Sequence, residues 1–386
     1  MTTIDLVYFN AGGGHRAAAL ALAAAIREQS RPWQVRLVNL TEVLDPRGLF
    51  KKYTGMAPED YYNKRLARGW TLGLAQELKL LQGTIRLAHS ALVRPLQRHW
   101  LATEPDLVVS LIPNFNRALY ESLASTLPGV PYVTVLTDIA DHPPNFWIEP
   151  AQDQHFVCGS ARAVEQAQAL GYGRERVHRV SGMILRPDFY RQPPRDRAAE
   201  RMALGLEADR PTGLVLFGGH GARTMLDIAH QLDDLQLILL CGHNRALAAA
   251  LRKLPARAPR VVVEFTPEVP RYMQLADYFI GKPGPGSLSE AIHIGLPVIT
   301  VRNAWTMPQE HYNTDWVREQ GLGLVHKSFG SLRPVVLQLV ERLEEFRANV
   351  RRIDNRAVWE VPGILAAILA EAEAPAPVSA LTATGG

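Results

Sequence analysis

Short apolar runs alternate with helical segments along the whole chain, and this alternation limits the possible folds more than any other feature. IDLVYF (4–9), QVRLVNL (34–40), DLVVSLI (106–112), PYVTVLT (131–137) and HFVCG (155–159) read as strands in the first half. GLVLFG (213–218), LQLILLCG (235–242), RVVVEF (260–265), DYFIGK (277–282) and PVITV (297–301) do so in the second. Strands that are apolar at nearly every position have to be covered on both faces, which helices between parallel strands achieve. Two such series predict an α/β protein of two doubly wound domains. The break is expected near RPDFYRQPPRDR (186–197), where prolines and charges interrupt both periodicities. The expected units are thus 1–186, 187–350, a returning helix over 351–373 and a disordered tail over 374–386, rich in small residues.

With 386 residues the chain has enough length for two well-buried cores. A hydrophobic content of 47% with 21% charged residues is globular, and no run reaches the roughly eighteen apolar residues of a membrane-spanning helix. The start, MTTIDLVYFNAGGGH, has no basic n-region or cleavage site, so the cytoplasm is the expected location. Cys158 and Cys241 each lie in an apolar strand-like run, which predicts buried thiols rather than a disulfide or a metal pair.

The net charge of +4 is unevenly spread. Between residues 51 and 100, nine Lys/Arg stand against three acids, beside Tyr53, Tyr61, Tyr62, Trp70 and Trp100. Basic and interfacial aromatic side chains together suit a helix lying on an anionic membrane. A solvated amphipathic helix pair is the plainer reading of the same residues. No nucleic-acid motif accompanies the charge, so a nucleic-acid partner is not expected.

Six segments stand where strands deliver loops to the ligand edge of a parallel sheet. In GKPGPGSLSEAIHIGLPVI (281–299) a Gly/Pro turn runs into a helix. Free amides after Gly284 and Gly286, with the helix dipole, would receive a diphosphate, and Glu290 lies one turn further in. That pairing suits a nucleotide sugar. After the first strand, Asn10-Ala11-Gly12-Gly13-Gly14-His15-Arg16 places His15 at a helix start, as a base or a solvated cap, and the glycines, Gly14 among them, admit close approach of a substrate. The sequence contains neither a GxGxxG nor a GxxxxGK[ST] pattern, which argues against a dehydrogenase or an NTPase. Thr137-Asp138 follows a strand, so Asp138 would either assist a base or cap a turn. The turn Phe217-Gly218-Gly219-His220-Gly221-Ala222-Arg223 repeats the strand, glycine turn, helix design, and its amides and Arg223 would face the diphosphate from the other side. After the last strong strand, Gln309, Glu310 and Asn313 could bond several sugar hydroxyls or simply cap a helix. The segment Phe265 to Pro270 ends a strand and begins a helix, where backbone groups could read a base edge. His142 and His155 match no zinc spacing, and no metal is expected.

Taken together, AGGGHRAAALAL (11–22), TDIADHPPNFW (137–147), FGGHGA (217–222) and GPGSLSEAIHIGLPVI (284–299) resemble the monogalactosyldiacylglycerol synthase family. That family groups with the peptidoglycan GlcNAc transferase among inverting, nucleotide-sugar-dependent enzymes of the GT-B fold, which has two facing Rossmann-like domains with the donor mainly in the second. The resemblance implies that Glu290 binds ribose, that Gly286 and Ser287 hold the diphosphate, and that Gln309 and Glu310 hold the hexose with Asn313 in support. It makes His15 the leading candidate for activating an acceptor hydroxyl, with Asp138 as helper or rival, and it turns Arg16 and the basic segment toward lipid. His220 departs from the plant pattern, which has an acid there.

The implied activity is transfer of a hexose from a UDP-sugar to a membrane lipid, with diacylglycerol the expected acceptor, by a peripheral protein that needs neither cofactor nor metal. A UDP-GlcNAc-type transferase of cell-envelope synthesis, a sugar-nucleotide 2-epimerase and a non-catalytic nucleotide-sensing module that docks on membranes are the alternatives.

Overall fold

The structure is a computed structural model that describes residues 1–10, 13–48, 52, 74–191 and 196–374. Ala11, Gly12, Lys51, positions 53–73 of the basic aromatic segment, positions 192–195 of the expected break and positions 375–386 of the expected tail lie outside the described residues.

Among the described residues, twelve strands form two six-stranded, wholly parallel sheets. The first contains β1 (Thr2–Tyr8), β2 (Trp33–Asn39), β3 (Leu107–Ser110), β4 (Tyr132–Val135), β5 (His155–Cys158) and β6 (Val177–Arg179), in the order β2-β1-β3-β4-β5-β6. The second contains β7 (Thr212–Leu216), β8 (Gln236–Leu240), β9 (Arg260–Val263), β10 (Tyr278–Gly281), β11 (Val298–Val301) and β12 (Gly323–His326), in the order β12-β11-β10-β7-β8-β9. Strand order reverses between β1 and β3 in one sheet and between β7 and β10 in the other. Those are the places where a doubly wound sheet opens a crevice at its carboxyl edge. The central strands β3, β4, β5, β7, β8, β10 and β11 are buried at every position, as their unbroken apolar runs require. Edge strands β6 and β12 carry no such run: each is short, half-exposed and partly polar, which is why apolar periodicity does not reveal them.

Helix α1 (Gly14–Glu28) begins at Gly13, whose φ of 78° is left-handed and so suits glycine. Its buried Ala18, Ala19, Leu22 and Ile26 recur at helical spacing and pack on the first sheet. Helices α2 (Pro285–Ile294) and α3 (His311–Glu319) follow β10 and β11. The last helix of the described residues is α4 (Ala357–Glu373), whose Val361, Leu365 and Ile368 join α1 in the core of the first sheet. Each such fully buried aliphatic side chain contributes about 2 kcal/mol. Cys158 and Cys241 are both buried free thiols. Among the described residues, no helix is long and apolar enough to cross a membrane.

The amino edge of the second sheet is tied by one carboxylate. Asp277, just before β10, accepts from Arg197 (2.7 Å), Arg201 (2.6 Å), Arg347 (2.5 Å) and the Thr212 amide (2.8 Å). Burial would raise its pKa, but hydrogen bonds and charge from Arg197, the Thr212 amide and Arg201 outweigh burial and hold the carboxyl below its usual range. Such a group stabilises the fold above its unfolded pKa of about 3.9, and the contribution is lost as pH falls through the lower folded value. Asp277→Ala should therefore cost about 3 to 5 kcal/mol in urea unfolding at pH 7 and flatten the acid limb of stability against pH. Unchanged midpoints would show that the three arginines do not depend on this carboxylate.

Candidate active site

On the first sheet the site is built from loops after β1, β3 and β4. The His15 Nδ1 lies 3.1 Å from the Thr137 hydroxyl, and the imidazole also bonds to the Leu111 backbone, so the ring is held from two loops. Burial depresses its pKa to about 4, with the Leu111 contact opposing, and leaves the ring neutral at pH 7. Beside it, Asp141 accepts from the amides of Asn145 (3.1 Å), Phe146 (3.0 Å) and Trp147 (2.7 Å) and thereby closes the loop after β4. That closure fixes the fully buried Trp147, whose Nε1 donates to Asp138 Oδ2 at 2.9 Å. The indole also lies 5.9 Å from the His15 ring. Burial raises the Asp138 pKa to about 7. The Trp147 bond pulls it down, Glu310 and Asp141 push it up, and Lys282 lowers it.

On the second sheet, α2 starts at Gly284 with Pro285 in its first turn. The Leu288 amide is the first to bond back, to the Gly284 carbonyl at 3.1 Å, so the amides of Gly286 and Ser287 are left without intrahelical partners. A Cβ added at Gly286 would meet nothing within 4 Å, which leaves open space over these amides. One turn further in, the half-buried Glu290 makes no hydrogen bond among the described residues. Burial raises its pKa to about 7, with Arg186 opposing and Asp188 adding. Gln309 is half-buried and, among the described residues, its side chain hydrogen-bonds only the Met307 sulfur, at 3.6 Å, so its amide retains most of its bonding capacity.

Three residues expected at the donor do something else as well. The Gly284 amide is not free, because it donates to the Lys282 carbonyl at 2.8 Å. Asn313 is wholly buried and donates to the Pro283 carbonyl at 2.7 Å, so it braces the glycine turn instead of lining the cleft. Glu310 is buried and receives the Lys282 ammonium at 3.2 Å, which leaves less of it for a sugar. Gly219 lends its carbonyl to the His243 amide (2.8 Å), while His220 and Arg223 are exposed beside it. Phe265 is 59% exposed.

Lys282, Trp147 and Asp141 were not anticipated. Lys282 directly precedes the Gly/Pro turn at the end of β10, and that position is the signal that could have found it. The two sides face each other, since the charges of Glu310 and Lys282 bear on Asp138 and His142 stacks on His311 at 6.0 Å. His155 lies elsewhere, 3.0 Å from His178 between β5 and β6. This arrangement can accept a proton at Asp138, seat an anion on the α2 amides near Lys282 and bond hydroxyls at Glu290 and Gln309.

Residues 214–353 match the glycosyltransferase family 28 C-terminal domain. Monogalactosyldiacylglycerol synthase 1, chloroplastic, of Arabidopsis thaliana is 26% identical over 342 residues, covering 84% of this chain and 62% of that protein. The probable monogalactosyldiacylglycerol synthase 2, chloroplastic, of Oryza sativa subsp. japonica is 29% identical over 345 residues, covering 82% and 69%. The chain thus spans a little under two thirds of the Arabidopsis relative's length. Acinetobacter baumannii MurG shares the fold with a TM-score of 0.61 at 13% identity, over 95% of this chain and 100% of that one. The calicheamicin glycosyltransferase CalG4 does so with a TM-score of 0.61 at 16% identity, over 97% and 100%. The second half thus carries a glycosyltransferase family 28 C-terminal domain, the chain is similar to monogalactosyldiacylglycerol synthases across both halves, and its two-sheet architecture is the GT-B fold of known glycosyltransferases.

Proposed function

We propose that the protein is an inverting, metal-independent hexosyltransferase that moves a sugar from a UDP-sugar to a hydroxyl of a membrane lipid, with diacylglycerol as the acceptor. One observation supports this above the others: a titratable pair on one sheet edge, His15 and Asp138, faces unpaired helix amides and the Lys282–Glu310 pair on the other.

The donor's diphosphate sits on the Gly286 and Ser287 amides, where the helix dipole favours negative charge, and Lys282 adds a cation close to the bond that breaks. Glu290 accepts the ribose hydroxyls. Gln309, and Glu310 through the oxygen that Lys282 leaves over, orient the hexose. The acceptor hydroxyl attacks the anomeric carbon from the face opposite UDP, so an α-linked donor gives a β-glycoside. The C–O bond to the diphosphate breaks, and the hydroxyl proton passes to the enzyme. A base is most effective when its pKa lies near the working pH. Asp138, at about 7, fits that condition better than His15, at about 4. His15, held by Thr137 and Leu111, orients the acceptor oxygen. The amides and Lys282 neutralise the charge that develops on UDP, so no metal enters the scheme.

Glu290→Ala should weaken UDP binding about tenfold or more in calorimetry, at the scale of a lost charged hydrogen bond, and unchanged affinity would reject the ribose role. Turnover should rise with pH through a midpoint near 7 as Asp138 loses its proton. In Trp147→Phe, removal of the bond that lowers the Asp138 pKa should move that midpoint upward. Asp138→Asn should abolish the limb, whereas His15→Ala should lose about a hundredfold in turnover with the limb retained. A limb that disappears with His15 and survives without Asp138 would reverse the two roles. A panel of UDP-sugars offered with membrane lipid extract should yield one glycolipid with an inverted linkage. Conversion of UDP-GlcNAc without an acceptor would indicate an epimerase, and no UDP release with any lipid would indicate a binding module.

A further inference from the structure

The two segments that cross between the sheets are bonded to each other. On the outgoing segment, the Ser181 amide donates to Glu360 Oε2 at 2.8 Å, and the Ser181 hydroxyl accepts the Arg356 amide at 2.6 Å. Asn355 of the returning segment, 3% exposed, donates to the Met183 carbonyl at 2.9 Å, and a Cβ at Gly182 would come within 2.6 Å of its side chain. Farther along the outgoing segment, a 3-10 turn (Pro187–Phe189) leads to Tyr190. The half-buried ring of Tyr190 packs against the cluster of Ala21 and Ala25 from α1 and Val358 from α4. It also meets His293, in the last turn of α2, with ring centroids 4.4 Å apart, and Trp359 of α4 edge-on at 5.6 Å. Neighbouring contacts tie down the same helix ends. Arg191 pairs with Glu28, the last residue of α1, the Gln29 side chain donates to the Trp359 carbonyl at 2.8 Å, and His293 bonds to the Phe189 backbone. The Tyr190 hydroxyl is buried without a hydrogen-bond partner among the described residues, so it is packing of the ring that holds this side chain. The far ends of α1 and α2 thus rest on one aromatic ring, while His15 opens α1 and the Gly286 and Ser287 amides open α2. At 1.5 Å per residue these helices are levers of about 22 Å and 15 Å, and close packing transmits a shift at one end to the other.

We propose that Tyr190 is a positioning residue for the transfer: its ring fixes the separation of α1 and α2 and thereby aligns an acceptor hydroxyl near His15 with a donor seated on α2. This rests on the nucleotide-sugar reading of the cleft. Tyr190 acts through the two helices and not on a substrate. A misplacement of about 1 Å between reacting partners costs on the order of a hundredfold in rate. With the acceptor out of line, water takes its place at the anomeric carbon. The C–O bond to the diphosphate then breaks, the hexose gains the water's hydroxyl, the remaining proton passes to the enzyme, and UDP leaves with no glycolipid made.

The full chain and its Tyr190→Ala, Tyr190→Leu and Tyr190→Phe variants test this in three measurements: UDP affinity by calorimetry, glycolipid formed from UDP-sugar and membrane lipid extract, and UDP released per glycolipid. The last ratio does not depend on how much of the enzyme is folded, so a purely structural role leaves it unchanged. Tyr190→Leu keeps much of the apolar volume and serves where the cavity left by alanine unfolds the chain. Both variants should lower glycolipid turnover about tenfold or more and raise the ratio several-fold, with UDP affinity kept within about twofold. Tyr190→Phe should match the wild type in all three, because the hydroxyl it removes bonds to nothing. If the wild type makes glycolipid and the alanine and leucine variants keep its ratio, the positioning role is refuted alone. A loss in Tyr190→Phe equal to that in Tyr190→Ala, or a fall in UDP affinity in step with turnover, would refute it too. If the wild type neither binds UDP nor releases it with any lipid, the nucleotide-sugar reading falls and this role falls with it.

Discussion

Removal of water from the facing edges of the two sheets is the interaction on which the rest of this structure depends. Burial is the largest cause of the shifts at Asp138, Glu290 and His15, and in each it works against the charged form. A carboxyl group near neutrality can exchange a proton at working pH, which one titrating near its ordinary value does poorly. The same low-dielectric surroundings strengthen the pull of helix amides and of Lys282 on a bound diphosphate, an attraction that bulk water would largely screen. In the proposed reaction, proton transfer and stabilisation of the leaving group would thus share one physical origin.

The second sheet separates support from chemistry along its strands. At the amino edge, Asp277 gathers three arginines and the start of β7, a fully paired cluster that fixes β10 beside β7. At the carboxyl edge of the same two strands lie the glycine turns, where the Gly286 and Ser287 amides at the start of α2 have no intrahelical partner. Polar groups left unsatisfied are costly inside a protein, so they persist where a ligand or water can reach them. Rigid clamping at one end is what allows loose ends at the other to hold their geometry.

Much of the architecture was legible because parallel strands buried on both faces cannot hide their apolar runs: ten of the twelve strands follow from PYVTV, LQLILL and similar segments. β6 and β12 escaped, being short edge strands with polar positions. The glycine turns and Glu290 were legible for a local reason, since a strand, a Gly/Pro turn and a helix adjoin in sequence. Long-range pairing was not. The Lys282–Glu310 contact spans 28 residues, the Asn313–Pro283 bond 30 and the His15–Thr137 bond 122. Periodicity carries no trace of which polar side chain will meet which, so the bond by which Asn313 braces the Pro283 carbonyl could not be read from its place beside Gln309 and Glu310. Trp147 lay inside a recognised motif, yet its donation to Asp138 depends on a loop that Asp141 folds back on itself.

The central claim is that a nucleotide diphosphate rests on the amino end of α2 in the cleft between the sheets. A crystal structure of the protein with UDP tests it most directly. The account predicts phosphate oxygens within hydrogen-bond distance of the Gly286 and Ser287 amides and the ribose hydroxyls on Glu290. UDP bound away from α2, or a cation between the phosphates and those amides, would contradict it.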